Sequence, residues 1–219
     1  MAAPNRIQSK DKNMTVTISR LYNSYPDAQA AIDRLEAAGV KHGDISVLAS
    51  NADDWYKDGK QKPSTFPDRD LDRKDDRAEA AGTGAGVGAV AGGTLGALTG
   101  LGLLAIPGVG PVVAAGWLVA TLTGAAAGSA TGGVLGALTQ AGVGKDEADV
   151  YAEGLRRGGT VVSARVTDAD ASRLQAVLDS SAVRIADRGN LYRKSGWTKF
   201  DPTATPYSAD QVRKERSLY

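Results

Sequence analysis

Cysteine is absent from this chain and histidine occurs only once. The first absence excludes disulfides, thiolate metal sites and cysteine nucleophiles together. The second leaves nothing from which to build a histidine metal triad or a histidine-based catalytic relay. Aromatic residues make up only 5% of the chain. A net charge of +1 provides no basic field of the kind a nucleic-acid binder uses. The opening segment from Met1 to Asn13 is polar and basic, without the apolar run of a secretion signal. Together with the missing cysteine, this fits a reducing cytosolic compartment.

The most informative lack is local. From Ala80 to Gly144 there is no Asp, Glu, Lys, Arg or His, whereas the sequence on either side is well charged. Within that stretch Gly84, Gly88, Gly92, Gly96 and Gly100 recur at every fourth position, and Gly116, Ala120, Gly124, Gly128, Gly132 and Gly136 do the same. Read as helices, each series forms one stripe of small side chains, a groove that a second backbone can approach closely. Pro107, Gly108, Gly110 and Pro111 impose a turn between the two series. The expectation is a glycine-zipper helical hairpin over 80–144, each arm longer than the roughly 20 residues a bilayer crossing requires. Each glycine costs about 1 kcal/mol of helix stability relative to alanine, so such arms need a partner surface, either lipid or protein.

The flanks read as two β-α-β halves of one domain. Thr15–Ile18 alternates as a strand, Asp27–Ala38 places Ala28, Ala31, Ile32, Leu35 and Ala38 on one helical face, and Ile45–Ala49 is a second strand. After the uncharged stretch, Lys145–Arg157 is helical with Ala148, Tyr151 and Leu155 aligned, Thr160–Val166 is strand-like, Asp168–Ser180 is helical and Val183–Ile185 is a short last strand. The predicted fold class is therefore α+β, with ferredoxin-like halves in a split domain and the hairpin inserted between them. The predicted divisions are 1–50 and 145–189 for the two halves, 51–79 for a charged solvated linker, 80–144 for the hairpin, and 190–219 for a basic, aromatic tail. In that tail Ser208 and Gln211 have the spacing of a capping box that starts a short terminal helix.

Sites with chemistry are sparse. Gly84–Ala89 resembles a dinucleotide fingerprint, but a charged segment stands where the motif needs a preceding strand. Asp68, Asp70, Asp72, Asp76 and Glu79 have the spacing of a calcium loop, with Arg73 in place of the glycine its sharp turn requires. His42 lies in a turn, and Ser46 and Ser163 fall in strands with no base beside them. No catalytic residue, metal or cofactor is expected, and the chain is not expected to be an enzyme. Tyr192, Arg193, Lys194, Trp197, Lys199 and Phe200 interleave bases with aromatics, which suits packing on the α/β domain first, and otherwise contact with anionic headgroups or nucleic acid.

Leu104-Ala105-Ile106-Pro107-Gly108-Val109-Gly110-Pro111 and Tyr151-Ala152-Glu153-Gly154-Leu155-Arg156-Arg157-Gly158 carry a resemblance. Over roughly Thr15–Gly189 the chain resembles bacterial general-stress and low-temperature-induced proteins, a group with a heat-induced-stress-protein-like domain. The resemblance implies induction under stress and membrane association, and it brings no catalytic residues with it. The expected partners are membrane lipid and a second copy of the chain, with neither nucleic acid nor a small-molecule substrate. The hairpin would insert and self-associate while Arg69, Arg73, Lys74, Arg77, Lys145, Arg156 and Arg157 keep the α/β domain in the cytoplasm. The alternatives are a soluble oligomeric scaffold with hairpins buried in its core and, more remotely, a ligand- or ion-binding regulatory domain.

Overall fold

The computed structural model describes residues 14–56, 102–126 and 133–219. They form an α+β body around one antiparallel five-stranded sheet. Strand β1 (Thr15–Tyr22) leads into helix α1 (Tyr25–Ala37) and strand β2 (Ile45–Ser50). Strands β3 (Gly102–Ile106) and β4 (Gly110–Ala115) follow, then helices α2 (Trp117–Ala126), α3 (Val134–Gln140) and α4 (Lys145–Arg156). Strand β5 (Thr160–Thr167) precedes α5 (Asp168–Asp179), α6 (Ile185–Lys194) and α7 (Ala209–Arg216). The sheet order is β1-β5-β2-β4-β3, so β5 is hydrogen-bonded between the two strands of the first half.

The alternation within the strands divides the core between two faces. On one, Ile18, Val47, Val162 and Ala164 meet Ala28, Ala31, Ile32 and Leu35 of α1 and Leu174 and Leu178 of α5. The face of α1 anticipated from its apolar spacing is the buried one. Ser24 starts that helix by accepting the Asp27 N–H at 3.3 Å, and Pro26 fits its first turn, where no N–H donor is needed. On the other face, Leu21, Leu48 and Val161 meet Leu118 and Leu122 of α2, Val134 and Leu138 of α3, and Ala148, Tyr151 and Leu155 of α4. The Tyr22 hydroxyl donates to the Leu178 carbonyl at 3.0 Å and that of Tyr151 to the Ser19 carbonyl at 2.7 Å, tying a helix to each face of β1.

Burial pushes the Tyr22 and Tyr151 phenols above their ordinary range, more than nearby arginines can offset. A group whose folded pKa is raised contributes stability below its unfolded value, near pH 10, and that contribution is lost as pH rises. Alkaline titration followed by tyrosinate absorbance should therefore show these two phenols ionising only together with loss of the circular-dichroism signal. Ionisation of every tyrosine in a still-native chain would contradict their burial.

The largest departure from the helical-hairpin expectation lies at residues 102–115. The turn is where Pro107, Gly108, Gly110 and Pro111 place it, but it joins two strands. Val109 N–H donates to the Ile106 carbonyl at 3.1 Å, with Pro107 and Gly108 (φ +74°) at the centre of the turn, the arrangement of a type II turn. Leu103-Leu104-Ala105-Ile106 and Val112-Val113-Ala114-Ala115 are short apolar runs bounded by glycine and proline, and a run of that length suits a strand as readily as a helix. Here they extend the sheet from the free edge of β2, in the register Ser50↔Val112 and Ala105↔Pro111. Pro111 has no N–H to donate, and its carbonyl accepts the Asn51 N–H at 2.8 Å.

Three smaller corrections concern boundaries. Val183 makes a single bridge to Leu21 in place of a last strand, and Ile185 opens α6 instead. Arg184 and Asp187 pair at 2.8 Å across the start of that helix, which runs on through the segment expected to be loop from Asn190. Asn51, expected to open the linker, is folded into the body. Its side chain holds Tyr56 by two hydrogen bonds of 3.1 and 2.9 Å, and Trp55 rests against Tyr25 with ring centroids 4.8 Å apart.

Candidate functional site

The small-residue positions separate into three groups. Gly84, Gly88, Gly92, Gly96, Gly100, Gly128 and Gly132 lie outside the described residues. Ala120 and Gly124 are on α2, and Gly136 is on α3. Gly116 lies in no helix: it is the joint between β4 and α2, with φ +90°. Gly133, with φ +80°, opens α3. Two positive-φ residues within 116–136 rule out the single continuous helix that an unbroken every-fourth stripe requires. The side of α2 turned to the sheet is its leucine side, Leu118 and Leu122.

Gly108 and Gly110 mark where the tail crosses the turn. A Cβ on Gly108 would lie 2.6 Å from the Asp201 carbonyl oxygen, and one on Gly110 would lie 2.9 Å from Pro206. Tyr192 and Phe200 are buried and Trp197 is half-buried, so the tail packs its aromatics on the body. Ser208 and Gln211 form the reciprocal capping box, with bonds of 3.3 and 2.9 Å. His42 Nδ1 lies 2.9 Å from Glu36 in a half-buried surface pair. Ser46 and Ser163 are structural. They align with Ser19 across β2, β5 and β1; Ser163 shares a 2.8 Å hydrogen bond with Ser19, and Ser46 accepts the Leu118 N–H. The acidic run 68–79 and the glycine fingerprint 84–89 lie outside the described residues, and no cluster of metal-ligating side chains occurs among those described.

One concentration of polar groups was not anticipated. Where β1, α4, α6 and α7 converge, Arg157, Arg188, Arg216, Tyr192 and Tyr219 line a cleft of about 10 Å³ with Asn23 and Gly159. Gly158 (φ +99°) lets α7 close over the end of α4, for its Cβ would lie 2.4 Å from Val212. Arg157 donates to the fully buried Glu153 at 2.6 Å and to Glu215 at 3.0 Å, and lies over the Tyr192 ring. Burial opposes its charge, but Glu153 first and Glu215 next outweigh this and leave its pKa above the ordinary value. Arg216 pairs with Asp53 and donates to the Gly158 carbonyl at 3.0 and 2.9 Å.

Arg188 differs from both. It donates to the Asn23 side-chain oxygen at 2.6 Å and lies 3.5 Å from the centroid of the Tyr219 ring. Beside it, the buried Tyr192 hydroxyl has no hydrogen-bond partner among the described residues. Burial holds that phenol above its usual range, against the pull of Arg188, so it remains a neutral donor. Of these residues Tyr192 stood out in the sequence as part of the basic and aromatic run, and Arg157 as one of a basic pair. Arg157, expected at a membrane boundary, is paired with Glu153 and Glu215. No family model, curated protein or solved structure matches the chain.

Proposed function

We propose that the chain is a non-enzymatic, membrane-associated stress protein, with its α/β body in water on the cytoplasmic side and the uncharged segment 80–101 making the attachment and self-associating. The observation that carries this reading is the division of the uncharged stretch. Its C-terminal part is built into the sheet and onto one face. What precedes it is about the length of one bilayer crossing, has no charge and bears glycine at every fourth position. Among the described residues no helix is long and apolar enough to cross a membrane, which concentrates the proposal on 80–101.

The sheet also limits how the attachment is made. A single crossing at 80–101 would put β1, α1 and β2 on one side of the bilayer and β5 on the other, whereas β5 is hydrogen-bonded between β1 and β2. Crossing and returning would take about twice 20 apolar residues. We therefore propose an attachment that stays in the interface or within one leaflet. We further read the frame as the ferredoxin-like split domain. The order Val183-β1-β5-β2, with α1 and α5 together on one face, supports this reading, and the β3–β4 hairpin is an added edge.

Flotation of the full chain with vesicles of phosphatidylcholine and phosphatidylglycerol tests the proposal. The wild type is expected to float, and replacing Leu95 and Leu98 with Asp should reduce the floating fraction tenfold or more. Recovery of the wild type wholly in the bottom fraction would remove the membrane claim. A soluble self-assembled scaffold is the second reading, favoured by the fact that the other half of the uncharged stretch is satisfied by protein contacts. It predicts a sedimenting oligomer without lipid, dissociated by Gly92→Leu.

A further inference from the structure

We infer that the cleft between α4, α6 and α7 is a binding site for a small oxyanion, with Arg188 as its main ligand and the Tyr219 ring as its cover. The inference rests on an imbalance of donors over acceptors and is independent of the membrane reading. Arg188 is 7% exposed, and a buried guanidinium ordinarily carries a carboxylate partner, because an unpaired buried charge is strongly destabilising. Its neighbours are all paired: Arg157 with Glu153 and Glu215, Arg216 with Asp53, and Arg156 with the shared Glu153. Arg188 has no carboxylate partner among the described residues. A neutral amide oxygen and the face of an aromatic ring take that place.

The guanidinium has five N–H donors in a planar fork, and Asn23 accepts from only one of its nitrogens. The Tyr192 hydroxyl adds a further donor without an acceptor. A phosphate group supplies what is missing, since two of its oxygens accept the guanidinium fork and another is left for the phenol. At about 10 Å³ the cleft holds no more than one water molecule. An oxyanion of phosphate size enters only if Tyr219 moves aside. Tyr219 is 45% exposed and follows the end of α7, so its ring can swing out without disturbing the core. Ring and anion thus compete for the same face of Arg188.

Calorimetric titration of the full chain with inorganic phosphate, against chloride at matched ionic strength, tests the site. Saturable binding of one phosphate per chain is expected. It should be weakened tenfold or more by Arg188→Gln and at least threefold by Tyr192→Phe, and strengthened at least threefold by Tyr219→Ala. Tyr192→Phe removes only a hydroxyl without a partner, so it keeps the test decisive should Arg188→Gln fail to fold. Vesicles containing phosphatidic acid then separate two sources of the same chemistry. Flotation that depends on Arg188 assigns the site to a lipid headgroup, and flotation indifferent to it assigns a soluble phosphate. The absence of saturable heat in both the wild type and Tyr219→Ala, or equal affinity in Tyr192→Phe, would overturn the inference.

Discussion

Replacing Gly116 with alanine should lower stability by about 3–5 kcal/mol, read as a fall of the urea midpoint and of roughly 10 °C in Tm. Two costs combine. The residue has φ +90°, where a side chain costs about 1–2 kcal/mol relative to glycine. The added Cβ would also lie 2.3 Å from the Ile45 carbonyl oxygen, 2.5 Å from the Ser46 hydroxyl and 2.7 Å from the Ser46 Cα. Two of these neighbours are backbone of β2, fixed by pairing with β5, and cannot yield cheaply. The third is the hydroxyl that accepts the Leu118 N–H and seats the start of α2. Gly43→Ala is the matched control: nothing lies within 4 Å of its Cβ, and the change should stay within about 0.5 kcal/mol. Equal, small effects at both positions would mean that Gly116 is a surface zipper position and not the joint between sheet and helix.

That residue also shows what was legible in the sequence. Where apolar residues follow one clean period, the reading carried through to the fold. Ala28, Ala31, Ile32 and Leu35 are all buried on α1, as are Ala148, Tyr151 and Leu155 on α4. The capping box of Ser208 and Gln211 is local chemistry and was readable as such. In the uncharged stretch two periods compete. Glycines four apart suggest a helical stripe, and the same stretch contains apolar runs of strand length. Spacing carries no information about the sign of φ, and positive φ at Gly116 and Gly133 is what breaks the helix. The turn at Pro107–Gly108 was legible because its residue types impose a bend whatever they join.

The arginine cleft was hidden for a different reason. Arg188 meets Asn23 across 165 positions of sequence, and its distinguishing feature is a partner that is missing, which no local pattern records. Arg156 and Arg157 looked like a basic pair at a membrane boundary. The four-residue offset between Glu153 and Arg157 was visible, but that Glu153 is fully buried, and so must hold its cations, follows only from the packing of α4 against the sheet.

Leu138→Ala decides whether the second limb of the uncharged stretch belongs to the body. Leu138 is fully buried on α3, in a cluster with Leu118, Leu122, Ala148 and Tyr151. Truncating a leucine in such a setting costs about 2–5 kcal/mol, the loss of its transfer free energy together with that of the cavity it leaves. The urea midpoint of the detergent-free protein should fall accordingly, with an unchanged slope, because the surface exposed on unfolding is nearly the same. Leu191, 46% exposed on α6, should tolerate alanine within about 0.5 kcal/mol. A lipid-facing arm predicts the opposite pattern: an unaltered midpoint in water and weaker binding to vesicles, because Leu138 would then contact acyl chains and not the apolar cluster of the body. With the limb packed on the sheet, membrane contact falls to the preceding segment alone, so Leu138→Ala should leave the floating fraction of folded chain unchanged while Leu95→Asp with Leu98→Asp reduces it.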